Sequence, residues 1–297
     1  LDRSSAASDV YKRQGLYQTD VAGFATKYQL SAVAALAWDW TRNIHNRCQL
    51  NLAPSSEAIR ELESHGIKNV KRWGRGVNAE LFNPSKRSDM LRYQWDPTGT
   101  KKVVGFVGRL ASEKSVCRLA VLEQDPDIQL VIVGDGPERD ALQELMPSAA
   151  FTGALSGEQL ARAYASLDLF VHTGEFETFC QAIQEAQASG VPTIGPKAGG
   201  PIDLIQDGEN GLLLEVETFS EELPDAARYL LDDARLAELK RNARASVADK
   251  TWDALCEQLL GYYEEARAGY RSNVVNLFGR SIALPKWAGR RRKSRGA

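Results

Sequence analysis

The sequence predicts an α/β protein built on doubly wound parallel sheets, and three observations carry that reading. Short apolar runs of strand type alternate with helical patterns from Lys102 to Leu214, the order that produces parallel sheets covered by helices. Within this region Lys102–Gly108, KVVGFVG, is almost continuously apolar, as a strand buried on both faces should be. The stretch from Val171 to Gly195 then passes from strand through a loop into a helix and on to another strand. With 297 residues, 43% of them hydrophobic, the chain is long enough to fill two cores. No apolar run approaches the roughly 18 residues needed to cross a bilayer. Cys48, Cys117, Cys180 and Cys256 are widely separated; their spacing suits a reducing compartment and shows neither a disulfide framework nor a zinc motif.

Residues 1–14, LDRSSAASDVYKRQ, lack a signal-peptide core and match nothing that follows; they read as a non-native leader. There is no initial methionine, so the chain is expected to be an N-terminally truncated fragment. Leu16–Thr19 reads as the end of a strand. Ala22–Arg47 follows as a long helical pattern open to a break near Ser31, and Cys48–Ala53 as a strand. Ser55 or Ser56 caps a helix from Glu57 to His65, closed by Gly66. Val70–Trp73 is a third strand. Residues 15–85 are thus the remnant of an incomplete N-terminal domain, 86–102 a polar hinge, and 86–250 a second domain. Helices are expected at Val116–Leu122, Glu138–Leu145, Glu158–Ser166 and Thr178–Ser189, with strands at Leu130–Val133, 150–151, Leu167–Val171, Val191–Ile194 and Gly211–Leu214. Three closing helices follow, at Leu223–Asp232, Arg235–Ala248 and Trp252–Ala268, the last within a crossover region 251–283. Residues 284–297 form a basic tail.

Charge is unevenly placed. The net charge is −2, but Lys286, Arg290, Arg291, Arg292, Lys293 and Arg295 cluster at the end, leaving a body of about −8; a nucleic-acid partner is therefore not expected. The tail suits either contact with anionic headgroups or a solvated terminus.

The residues that could carry chemistry lie at strand ends. Arg109 and Lys114 follow the KVVGFVG strand in GRLASEK. A guanidinium and an ammonium beyond a strand end suit a diphosphate. Glu177 and Glu185 stand eight residues apart around a helix start whose free N–H groups favour phosphate or sugar hydroxyls. Val133–Pro137, VGDGP, is not a dinucleotide fingerprint, because Arg139 stands where the third glycine would be. Asp125-Pro126-Asp127 reads as a turn, not a metal motif. His172 faces the same loop as Glu177 and reads as a pocket-lining or packing residue; His45 and His65 lie at helix ends.

The paired R-x4-K and E-x7-E patterns, with VGDGP, FTG and the GGP block at Gly199–Pro201, resemble the retaining GT-B glycosyltransferases of family 4 over about 230 residues. The resemblance implies two Rossmann-like domains with parallel sheets, the N-terminal one incomplete. YQTDVAGFA, WGRGVNAELFNP and ETFCQAIQEAQASGVP are most similar to actinobacterial GDP-mannose-dependent α-mannosyltransferases with lipid or lipoglycan acceptors. By that resemblance, Glu177, Arg109 and Lys114 serve catalysis, with Glu177 positioning the donor sugar. Glu185 would hold the ribose hydroxyls, and Gly108, Gly134, Gly136, Gly153, Thr178, Phe179, Cys180 and Gln181 would complete the donor site. Gln18, Thr19 and Asp20 would lie on the acceptor side.

The implied reaction transfers mannose from GDP-mannose to a lipid-linked acceptor with no metal or other cofactor, at the cytoplasmic side of the membrane, with Lys286–Arg295 touching the anionic surface. Two alternatives stay open: a UDP-sugar donor on the same fold, and a non-catalytic nucleotide-sugar-binding protein or inactive fragment. Three departures from the family pattern bear on them. Cys180 replaces the usual glycine, Gln18 stands where some relatives carry histidine, and Asn78 replaces an aspartate.

Overall fold

The computed structural model describes residues 14–17 and 31–278. Residues 1–13 of the leader, the acceptor-side trio Gln18, Thr19 and Asp20, and the basic tail lie outside the described residues.

A small parallel sheet holds β1 (Gln14–Leu16), β2 (Leu50–Ala53) and β3 (Val70–Arg72) in that order. The helix α1 (Ser31–His45) lies between the first two strands and α2 (Ser56–Ser64) between the last two. Ser55 caps α2 by accepting the Ala58 N–H at 3.2 Å, and Ala58 and Leu62 bury the apolar face against Tyr17, Ala53 and Ile67. The carboxamide of Asn51, fully buried, donates to His45 O and Lys68 O at 3.1 and 2.8 Å. A buried amide left unpaired there would be costly, so these bonds tie strand to loop.

The segment 86–102 is not a hinge. Ser88 accepts the Leu91 N–H and starts a two-turn helix, α3 (Asp89–Trp95), whose Trp95 is buried. Arg92 donates to Asp168 at 2.8 Å and to Ser166 O at 2.9 Å. Burial alone would raise the Asp168 pKa, but Lys240, the Val103 N–H and Arg92 outweigh it and hold the carboxyl below its usual range. The charges that made the segment read as a linker are the ones that dock it.

The large sheet has six parallel strands: β4 (Lys102–Val107), β5 (Ile128–Val133), β6 (Ala150–Gly153), β7 (Leu169–Val171), β8 (Thr193–Pro196) and β9 (Gly211–Leu214), ordered β6-β5-β4-β7-β8-β9. Alternation along β4 and β5 sends Val104, Phe106 and Ile132 to one core and Val103, Val131 and Val133 to the other. Gly105 belongs to this packing, since a Cβ there would sit 2.5 Å from the Leu167 side chain. Helices α4 (Arg139–Leu145), α5 (Gly157–Ala165), α6 (Gln181–Ala188), α7 (Pro201–Leu204), α8 (Phe219–Leu231) and α9 (Asp233–Ala245) follow. The segment Val116–Leu122 is helical but of 3-10 type, entered from a left-handed Ser115 at φ 49°.

Two boundaries bear on the site. The helix expected from Thr178 begins only at Gln181, because Cys180 is left-handed, at φ 73°. The Gly200 N–H donates to Glu177 O at 2.6 Å, which holds residues 177–180 as a loop. The last helix, α10 (Trp252–Phe278), returns to the small sheet. Trp73 Nε1 donates to Leu255 O at 3.0 Å, the Tyr262 hydroxyl to Arg72 O at 2.9 Å, and Lys71 pairs with Glu265 at 2.6 Å.

Candidate functional site

Strand order reverses at β4, with β5 on one side and β7 on the other. A crevice opens at such a switch point beyond the carboxyl ends of the strands. Into it β4 delivers Gly108 and Arg109, and β7 delivers His172 and the loop carrying Glu177. The Lys114 ammonium and the Glu177 carboxylate form an ion pair across the crevice, 25% and 19% exposed. A cavity of about 260 Å³ lies against them, with Gly108, Arg109, His172 and Cys180 in its wall. Arg109 is 68% exposed, with its guanidinium 4.0 Å from the Glu113 carboxylate.

The two loops are bolted together. The Thr173 hydroxyl donates to Lys114 O at 2.6 Å. Arg118 donates to Thr173 O and the Glu175 carboxylate, each at 2.9 Å, and to Val216 O at 3.3 Å. Arg118 was not legible as a site residue, because its partners come from two distant segments.

Gly134 and Gly136 have a steric reason beyond any ligand. A Cβ on Gly134, at φ 144°, would lie 1.8 Å from Gly108 O, and one on Gly136 would lie 2.2 Å from Leu110 O. The VGDGP turn therefore rests directly on the backbone that carries Arg109. Gly153, at φ 76°, accepts the Gly134 N–H at 2.9 Å and completes this stack.

Around α6 the candidates separate. Phe179 and Cys180 are buried, and burial, aided by Glu177, pushes the Cys180 thiol well above its ordinary value. Gln181 turns its side chain away to donate to Gly76 O at 3.0 Å, and Gln184 donates to Arg75 O at 3.1 Å. Both glutamines thus clamp the Arg75–Gly76 loop. Glu185 lies three residues past the wall residue Ala182, half-buried beside Tyr164, and burial raises its carboxyl to about 7 against the pull of the Tyr164 hydroxyl. Glu185 thus lies on α6 about one turn beyond Ala182.

His172 is 2% exposed and stacks on Phe106 with ring centroids 6.4 Å apart. Burial, with the Lys114 charge, lowers its pKa to about 4 despite the pull of Glu177, so the imidazole is neutral near pH 7.

A second cavity, of about 830 Å³, meets the Glu177 loop from the small-sheet side and is bounded by Glu57, Arg60, Glu175, Thr178 and Gly199. Glu57 accepts the Gly199 N–H, and Asp203 accepts the Ser56 hydroxyl at 2.8 Å. The start of α2 is thereby fastened to α7 and to the loop preceding it.

Two parallel-sheet units, with a cation–carboxylate pair at the switch point of the larger one, fit the GT-B glycosyltransferase architecture that the sequence resemblance implies. Residues 88–246 match the family of glycosyl transferases group 1, and the chain belongs to that family. It is 60% identical over 278 residues to a GDP-mannose-dependent α-mannosyltransferase of Corynebacterium glutamicum, covering 93% of this chain and 67% of the relative. Identity to the protein of that name in Mycobacterium tuberculosis is 50% over 252 residues, covering 85% of this chain and 66% of the relative. The chain thus spans about two thirds of the length of these relatives. Among solved structures, sucrose-phosphate synthase of Thermosynechococcus elongatus superposes with a TM-score of 0.75 at 23% identity, covering 90% of this chain and 71% of that one. Anabaena HepE, solved with UDP and glucose, superposes at 0.72 and 24%, covering 85% and 71%. At that identity the two structures show the fold.

Proposed function

We propose that this chain is the donor-binding part of a retaining α-mannosyltransferase that moves mannose from GDP-mannose to a lipid-linked acceptor. The observation that carries the reading is the Lys114–Glu177 pair beside the exposed guanidinium of Arg109. The 60% identity to a GDP-mannose-dependent enzyme supports the choice of donor.

Breaking the anomeric C–O bond leaves an oxocarbenium-like sugar and a departing diphosphate. The largest gain comes from placing positive charge where the leaving group develops negative charge. Lys114 and Arg109 are that charge, so the reaction needs no metal. Glu177 holds the donor sugar near its anomeric face, and Glu185 accepts from the ribose hydroxyls. A diphosphate oxygen takes the acceptor proton on the same face, which retains configuration. The acceptor hydroxyl enters from the larger cavity, whose wall includes Glu177 and Thr178. Among the described residues no helix is long and apolar enough to cross a membrane; contact with a lipid-linked substrate at the inner membrane face falls to the basic tail.

Calorimetric titration of the chain with GDP, GDP-mannose and UDP-glucose tests this. Preference for the guanine ligands is expected, with Glu185→Ala weakening binding and Glu177→Ala chiefly lowering turnover. Preference for UDP-glucose would transfer the reading to a UDP-sugar enzyme.

A further inference from the structure

His172, Glu177 and Cys180 bring a nitrogen, an oxygen and a sulfur donor within 4.8 Å of one another. Two of them already stand at metal-ligand spacing, with His172 Nε2 3.5 Å from Glu177 Oε1. Around a tetrahedral zinc ion with bonds of 2.0–2.3 Å, ligand atoms lie about 3.5 Å apart, so closing the triad asks the side chains to move by about 1 Å. The imidazole is poised for a ligand. It is 2% exposed, and neither ring nitrogen makes a hydrogen bond of full geometry, with only the Gly174 backbone and Glu177 nearby, an arrangement that buried polar groups rarely keep.

We propose that His172, Glu177 and Cys180 form a binding site for a soft divalent cation, zinc or its cobalt surrogate, and that its occupancy excludes the sugar donor. Thiolate and imidazole select such ions and discriminate against magnesium or calcium, which take oxygen ligands. Binding displaces the Lys114 ammonium from Glu177 and releases the Cys180 thiol proton to solvent. Carboxylate and thiolate together neutralise the ion, and the small cavity beside the triad leaves its fourth position open. The ion thereby removes a carboxylate from the donor sugar and a paired cation from the diphosphate. This second consequence rests on the donor-site reading above; the binding of the metal does not.

The test is a cobalt titration of the chain followed by absorption. A near-ultraviolet thiolate-to-cobalt band at one equivalent is expected, retained when Cys48, Cys117 and Cys256 are all replaced by serine. It should be lost in Cys180→Ser and in His172→Phe, each checked for folding by far-ultraviolet circular dichroism. Magnesium should neither produce nor displace it. With zinc at ten times its dissociation constant, the apparent Kd for GDP-mannose should rise about elevenfold by mass action. A band that survives both triad variants, or no band in a protein that still binds GDP-mannose, overturns the metal site and leaves the donor reading intact. A band of the expected dependence in a protein that binds no guanine nucleotide supports the metal site and overturns the donor reading. Zinc that leaves donor affinity unchanged or improves it overturns the exclusion.

Discussion

Replacing Glu185 by glutamine should stabilise the protein at alkaline pH while damaging its proposed function. The carboxyl sits half-buried beside Tyr164, whose hydroxyl is buried without a geometric hydrogen bond, and burial raises its pKa from 4.5 to about 7. A raised carboxyl makes the folded state hold its proton longer than the unfolded chain does. Stability from this group is therefore complete below about pH 4.5 and falls as pH rises to about 7. At about 1.4 kcal/mol per unit, the full shift is worth about 3 kcal/mol above pH 7. Glu185→Gln removes the titration, so urea unfolding should show the variant near wild type at pH 4.5 and more stable by about 2–3 kcal/mol at pH 8. His172 titrates in both proteins and cancels in the difference. Affinity for GDP should fall, because the amide replaces one carboxylate oxygen by an NH2 donor, so the two ribose hydroxyls can no longer each donate to a separate oxygen. A stability difference that stays constant from pH 4.5 to 8 would refute the assignment of a strained, buried carboxyl. The trade is the one expected of a site residue kept for ligand binding at the expense of the fold.

Two further substitutions probe the backbone. Gly134→Ala should lose about 3 kcal/mol or more in urea midpoint analysis, because its Cβ would meet Gly108 O at 1.8 Å; an unchanged midpoint would mean that the VGDGP turn does not rest on the Arg109 backbone. Cys180→Gly relieves a left-handed residue, a gain of about 1 kcal/mol offset by a similar loss of chain entropy. Because the side chain also packs in the core, stability should fall by about 1–2 kcal/mol with transfer activity retained; an unchanged midpoint would mean that the thiol contributes no packing.

Much of the fold was legible in the residues. The alternation from Lys102 to Leu214 predicts the parallel sheet, and every expected strand of the larger unit exists with ends shifted by a few residues. The apolar period of the chain is a local property, and it survives folding because both faces of this sheet are covered. Where reading failed, a nonlocal partner decided. Residues 86–102 looked like a linker until Asp168, from the segment leading into β7, turned Arg92 into an anchor. The helix α6 was expected from Thr178, but Gly200 holds the preceding loop through Glu177 O and delays it to Gln181.

The sequence by itself determined the fold class, the strand-end position of Arg109 and Lys114, and the separation of Glu177 from Glu185, because residue spacing and side-chain periodicity are written along the chain. Only the tertiary structure decided that Lys114 faces Glu177, that Arg109 lies exposed at the cavity wall within 4.0 Å of Glu113, and that His172 and Cys180 converge on one carboxylate. The first of those relations depends on β4 and β7 becoming neighbours at the point where the strand order reverses, across more than sixty residues of intervening chain, whereas the third is set by the course of the loop leading into α6. No short-range pattern encodes such a juxtaposition; it follows from the burial of both sheet faces at once.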